Sequence, residues 1–290
     1  MNSGKSMPSN KRPFATRIIL LSLVLHFCAL SSANALNAGQ ADSPAIADKF
    51  ILEELLFRVG FWVFDDVAEA KISFAKDPGN GDYVAALNVY TTGFVDRAFM
   101  HREDAYVSRM RLSGDQARLV PRSFEKTINI RGDIRNSVTY FNYETNLMTW
   151  EIRQNNVFKS KGELPMPEGI FYDDPLSAFY NFRAGVYGPP AQGGVYKIFT
   201  FPKKDLVPEI FLRLARADEM NADKDKKDGY LSFVKIDKEV FGSTSGEIEI
   251  FFGPDMLPED VLARDILFFG DVRGRLKATA SNLKRSMGHD

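Results

Sequence analysis

The chain has 290 residues, with 37 Lys plus Arg against 38 Asp plus Glu, 44% hydrophobic and 12% aromatic residues, and a single Cys. At roughly 100 to 200 residues per domain that length gives one large domain or two small ones, and the apolar content is enough for a buried core, which excludes a disordered tail. Nearly cancelling charges exclude a strongly basic nucleic-acid binder, the lone Cys excludes a disulfide scaffold, and the presence of only one long uncharged stretch excludes a polytopic membrane protein.

Residues 1–17 carry Lys5, Lys11, Arg12 and Arg17 and no acid, residues 18–30 are almost wholly apolar, and Ala33-Asn34-Ala35 follows. This is the order of a secretory signal: a basic region, a short apolar region and an A-x-A cleavage site. A spanning helix needs roughly 20 apolar residues, so this shorter run is expected to be cleaved after Ala35, placing the mature chain in the periplasm with no transmembrane span. Cys28 follows Phe27, where lipoprotein processing wants a small side chain, so no lipid anchor is expected. The mature chain then holds 33 bases against 38 acids, a net charge of −5, and no Cys. That composition gives no general attraction for nucleic acid and rules out disulfides, thiolate nucleophiles and Cys-ligated metals. The expected organisation is a cleaved signal peptide at 1–35, a flexible segment at 36–48, one β-rich domain at 49–280 and a polar tail at 281–290.

From Leu55 the chain alternates, with Leu55, Phe57, Val59, Phe61 and Val63 on one side and Glu54, Arg58 and Gly60 among those on the other. Period two marks a strand buried on one face. The pattern recurs in Ala70/Ile72/Phe74, Tyr83/Ala85/Leu87/Val89, Ile210/Leu212/Leu214, Tyr230/Ser232/Val234/Ile236 and Ile248/Ile250/Phe252. Asp77-Pro78-Gly79-Asn80-Gly81, Ser113-Gly114-Asp115 and Asp228-Gly229 supply hairpin turns. One helix interrupts the strands: Asp174 is its N-cap, Pro175 its first residue, and Leu176, Phe179, Tyr180 and Arg183 follow at i, i+3, i+4, i+7, ending before Gly185. A second short helical turn is expected after Pro258, where Glu259-Asp260 precede Val261 and Leu262. No helical segments alternate with the strands, so a parallel Rossmann-type sheet is excluded. The class is all-β, mainly antiparallel: a large curved sheet, β-roll or open-barrel-like, with one or two short helices.

Chemical motifs are sparse. The mature chain has two His, and His289 lies in the polar tail, so any His-based metal site or triad rests on His101, which reads more simply as a solvated or structurally bonded residue. Gly242-Ser243-Thr244-Ser245-Gly246 has Thr where a nucleophile elbow has Ser and reads as a loop between strands. Asp223, Asp225 and Asp228-Gly229 miss the calcium-loop spacing, since Gly falls at position seven and Lys227 at position five, and read as a solvated hairpin tip. Arg131-Gly132-Asp133 reads as a turn. No metal or organic cofactor is expected.

The densest segment runs from Pro165 to Arg183. Its carboxylates Glu168, Asp173 and Asp174 are the candidates for general acid–base work if their environments separate their proton affinities. In the alternative reading Asp174 caps the helix, Asp173 or Glu168 pairs with Arg183, and the aromatics plug the open end of the sheet.

Tyr172 to Arg183 (YDDPLSAFYNFR), with Glu54-Leu55-Leu56-Phe57-Arg58-Val59-Gly60 before it and Val195-Tyr196-Lys197-Ile198 and Gly270-Asp271-Val272-Arg273-Gly274-Arg275-Leu276 after it, resembles the bacterial exported family called domain of unknown function 3108. In that family the D-P-L-x-A-x-Y-x-x-R box is matched here by Asp174, Pro175, Leu176, Tyr180 and Arg183. The resemblance implies an all-β envelope protein and brings no catalytic residues with it. Two functions are expected from these observations: a non-catalytic exported protein whose sheet holds an apolar or glycan ligand or an envelope partner, and alternatively a carboxylate-dependent hydrolase of an envelope polymer. A deep apolar cavity favours the first, and two carboxyls facing across an open cleft favour the second.

Overall fold

The computed structural model describes residues 45–98, 101–201, 209–220, 228–267 and 269–279. The expected leader at 1–35, the stretch 36–44, the charged tip at 223–227 and the tail at 281–290 lie outside them. After a 3-10 turn at Ile46–Lys49, whose Ile46 and Ala47 are buried, come β1 (Glu53–Phe61), β2 (Phe64–Lys76), β3 (Tyr83–Thr91), the short helix α1 (Gly93–Ala98), β4 (Arg102–Leu112), β5 (Leu119–Ile130), β6 (Asp133–Asn142), β7 (Leu147–Gln154) and β8 (Val157–Pro165). The second half holds α2 (Pro175–Arg183), β9 (Val195–Phe199), β10 (Glu209–Leu214), the single turn α3 (Ala217–Met220), β11 (Tyr230–Lys235), β12 (Glu247–Phe252), β13 (Pro258–Ile266) and β14 (Gly270–Thr279).

These 14 strands make one antiparallel sheet in the order β8-β7-β6-β5-β4-β3-β2-β1-β14-β13-β12-β11-β10-β9. Each strand pairs with its sequence neighbour except at the centre, where β1 pairs with β14, and at the two edges. The edges β8 and β9 do not pair, so the sheet is not closed. The segment between them carries α2 and lies along the gap: the Asp173 N–H donates to the Phe199 carbonyl of β9 at 2.8 Å, and the Tyr143 hydroxyl to the Tyr172 carbonyl at 3.2 Å. Register shifts at the β1–β14, β1–β2, β4–β5, β7–β8, β12–β13 and β13–β14 pairings are irregularities of the kind that let so long a sheet curl.

The sheet curls around α2. Leu176 and Tyr180 pack with Phe50, Phe74 and Met110 on one side, Phe182 with Tyr196, Leu214 and Phe252 on another, and Ala178 with Ile198, Ile210 and Ile236 on a third. A helix surrounded on several sides needs apolar residues beyond one stripe, and α2 has them. The expected alternating strands appear as β1, β2, β3, β10, β11 and β12, with two corrections. The alternation expected through Val63 stops at Phe61, because Trp62 turns into the left-handed region at φ 53° and Val63 stands in solvent. The helical turn expected after Pro258 is strand β13: Val261 pairs with Ile250 and Gly274, and Ala263 with Ile248 and Val272, so hydrogen bonding on both sides overrides the acidic Glu259-Asp260 start.

Candidate functional site

Asp174 is the α2 N-cap. Its Oδ1 accepts from the Leu176 and Ser177 N–H groups at 2.8 and 3.0 Å, and its Oδ2 accepts from Ser108 Oγ of β4 at 2.5 Å. Pro175 follows at the first helical position, where no N–H is needed. Asp173 is equally buried and better supplied: Ser177 Oγ and Asn181 Nδ2 each donate to Oδ1 at 2.9 Å, and Tyr187 and Arg118 donate to Oδ2. Burial pushes the Asp173 carboxyl up against the pull of Arg118 and these donors, and it pushes Asp174 up to about 7. Asn181 also bonds both backbone groups of Leu119 in β5, standing in for a strand neighbour.

Arg183 ends the helix at its other end. It makes a two-point ion pair with Glu53 at 2.6 and 2.8 Å, donates from Nε to the Met256 carbonyl at 2.8 Å, and stacks over Phe50, Phe179 and Tyr180 at 4.9 to 5.6 Å. This corrects the expected pairing with Asp173 or Glu168. A nine-residue helix advances about 13 Å along its axis, which keeps Arg183 away from Asp173 at the start, and Glu168 lies exposed on the approach to the helix. Leu176 and Tyr180 are core residues, and Tyr180 packs on Phe74 and Phe50.

Between α2 and the sheet lies a cavity of about 330 Å³. One wall comes from β1 to β4, with Phe57, Ala70 and Leu87 among its residues. The opposite wall comes from β9 to β14, with Leu212, Ile250 and Ala263, and α2 closes a side with Leu176, Phe179 and Phe182. The charged residues on this lining are Arg102 and Asp104, joined by bonds of 3.0 and 2.7 Å, and Thr91 and Tyr106 are its hydroxyl-bearing residues. Neither Asp173, Asp174 nor Glu168 lines the cavity. The loop between β11 and β12 reaches across: Phe241 lines the cavity and packs on Tyr106, while the half-buried Lys126 of β5 donates to the Glu239 and Val240 carbonyls at 2.7 and 2.6 Å. Burial lowers the affinity of Lys126 for its proton.

The chemistry this arrangement supports is binding of an apolar body. A glycan would leave hydroxyls without partners against such walls, at roughly 1–3 kcal/mol each. The lone pairs of Asp173 and Asp174 are committed to donors inside the fold. His101 is a surface residue whose Nδ1 lies 2.8 Å from Asp96 Oδ1, Gly242 to Gly246 sits in the β11–β12 loop, and Arg131-Gly132 is the turn between β5 and β6. Among the described residues no group of three or more His, Cys, Asp or Glu is placed to hold a metal, and no helix is long and apolar enough to cross a membrane.

Sequence reasoning missed Arg118, Tyr187, Ser108, Asn181 and Glu53. One signal was present: Asp173, Ser177 and Asn181 recur every four residues, a polar stripe along a helix that is otherwise core. The cavity lining carried no such signal, because cavity-facing and core-facing residues share the same alternation.

The family described as "Protein of unknown function (DUF3108)" matches residues 56–277. No curated protein matches the chain. Among solved structures it is similar to a β-barrel-like protein of domain of unknown function 1849 from Brucella abortus, with 9% identity and a TM-score of 0.45 over 79% of this chain and 97% of that one. It is similar also to a DUF1089 family protein from Pseudomonas aeruginosa, with 10% identity and a TM-score of 0.32 over 69% and 91%.

Proposed function

The chain belongs to the DUF3108 family, and we propose that it is an exported, non-catalytic protein of the bacterial envelope that carries an apolar ligand of acyl-chain character inside its curled sheet. The observation that carries this reading is the cavity: its volume lies within the range of small-ligand sites, roughly 300–1,000 Å³, and its walls are apolar apart from Arg102, Asp104, Thr91 and the phenol of Tyr106. Enclosure by two sheet walls and a helix suits a flexible hydrocarbon, which gains from leaving water along its whole length. The export half of the proposal rests on Lys5, Lys11, Arg12 and Arg17, the apolar run and Ala33-Asn34-Ala35. Protein purified from a periplasmic extract, sequenced from its N-terminus and extracted with organic solvent for mass spectrometry, tests both halves. The expected result is a chain starting at Leu36 with a stoichiometric acyl lipid. Residues 1–17 retained in a membrane fraction would overturn export, and a solvent extract without lipid together with no uptake of added fatty acid would overturn the ligand.

A further inference from the structure

The β1–β2 and β13–β14 hairpins end side by side, since Phe61 pairs with Phe64 on one flank and Val272 on the other. Their tips are apolar and face solvent: Trp62 is 73% exposed, Val63 89%, Phe64 51% and Leu267 47%. The indole of Trp62 lies so close to Gly270 that a β-carbon there would stand 3.0 Å from Nε1. Beneath the tips the Phe61 ring meets Trp62, Phe64 and Phe269 at 5.6, 6.2 and 4.9 Å, and both Phe61 and Phe269 line the cavity. Apolar surface therefore runs from the hairpin tips into the ligand site.

The turn itself is a poor choice for folding alone. Two-residue hairpin turns favour Asn, Asp and Gly, because positive φ suits them, yet this one is Trp62-Val63 with Trp62 at φ 53°. A bulky residue strained in the left-handed region and left in water contributes little to the fold, and such outliers point toward function. Trp is also the side chain that best occupies the boundary between water and hydrocarbon, with an apolar ring and one N–H. The surrounding charges select the surface. Asp65 and Asp265 are exposed beside the tips, Arg58 is engaged by Asp66, and Arg264 by Glu249 and Asp271. The exposed Arg273 stands opposite Gly60 next to the tips, but among the described residues beside them the acids Asp65, Asp66, Asp265 and Asp271 outnumber the bases Arg58, Arg264 and Arg273, so no net positive charge is left to draw anionic headgroups.

We propose that the two hairpin tips, Trp62, Val63, Phe64 and Leu267, dock on a zwitterionic lipid surface, at the end of the cavity from which the acyl ligand is exchanged. The exchange rests on the proposed acyl ligand, whereas docking is read separately. Purified protein is floated with phosphatidylcholine vesicles, and Trp emission is followed with brominated acyl chains as quencher. The chain has two Trp, and Trp150 lies in β7 against Gly162, so Trp150→Phe leaves Trp62 as reporter. The expected result is flotation of the wild type, quenching of Trp62, and an at least tenfold loss of vesicle association in Val63→Asp and in Phe64→Asp. Both variants should keep their denaturation midpoint and bind cis-parinaric acid in solution within twofold of the wild type. A wild type that does not float, flotation unaffected by either substitution, or self-association abolished by Val63→Asp without vesicle binding would overturn the docking surface, the last assigning it to a second copy. A protein that floats through its tips but takes up no parinaric acid would uphold docking and overturn the cavity reading.

Discussion

Arg183 and Glu53, 130 residues apart in the chain, meet as a nearly buried two-point ion pair that ties the end of α2 to the first strand of the sheet. The same guanidinium bonds the Met256 carbonyl ahead of β13, so one side chain joins the helix to both halves of the sheet. Breaking one side of such a pair leaves an uncompensated charge among Phe50, Phe179 and Tyr180, at about 3–5 kcal/mol. Chemical denaturation should show that loss for Arg183→Ala. Arg183→Lys should recover only part of it, because an ammonium cannot make the two parallel bonds and the Nε bond together. A stable Arg183→Ala protein would remove the structural role assigned to this pair.

Asp174 gives the fold a pH dependence of definite sign. Its carboxyl titrates near 7 in the folded chain and near 3.9 when unfolded, so between those values the folded state holds a proton that the unfolded state releases. Its contribution to stability is therefore complete below about pH 4 and is lost as pH rises through 7. Asn in its place can still accept from the Leu176 and Ser177 N–H groups and can donate to Ser108. Asp174→Asn should flatten the rise in denaturation midpoint from pH 7 to pH 5, and it should stabilise the protein at pH 8 by about 1 kcal/mol or more, each tenfold change in proton affinity being worth about 1.4 kcal/mol. Some slope should remain, since Asp173 shifts in the same direction. An unchanged profile would show that Asp174 is ionised throughout.

Asp173 answers to four donors, and they should not be equivalent. Tyr187→Phe removes one hydrogen bond to a charged group, about 1.5–3 kcal/mol, and leaves Arg118 in place. Arg118→Leu strands a buried carboxylate and should cost about 3–5 kcal/mol. In Arg118→Leu/Asp173→Asn the charge itself is gone, so the double variant should be more stable than Arg118→Leu alone. Denaturation of the three variants as a cycle measures this. Additive losses would mean that the pair is not coupled.

The strands were legible wherever period two was clean, as in Leu55 to Phe61 and Tyr83 to Val89, because burial of one face writes itself directly into sequence. Asp174-Pro175 was legible for a local reason as well: an N-cap and a first-turn proline satisfy backbone needs within three residues. The partner of Arg183 was not, since the nearest acids in sequence are at the far end of the helix and the true partner arrives from β1 through the fold. Trp62-Val63 misled for the opposite reason: it continues the alternation of β1 through a turn that local propensity does not favour. The cavity was invisible because Ala70 and Ala263 read as ordinary strand residues, and only the sheet's curvature brings them to the same space.

That cavity can be tested by filling it. Ala70 stands beside Phe57 and Val89, and Ala263 beside Ile248 and Val272, so Phe at either position would occupy ligand space. Titration with cis-parinaric acid should show one saturable site per chain in the wild type. Ala70→Phe and Ala263→Phe should each weaken binding at least tenfold, about 1.4 kcal/mol, at an unchanged denaturation midpoint. A wild type without saturable binding, or filled variants that bind as tightly as the wild type, would mean that the apolar ligand does not reside inside the curled sheet.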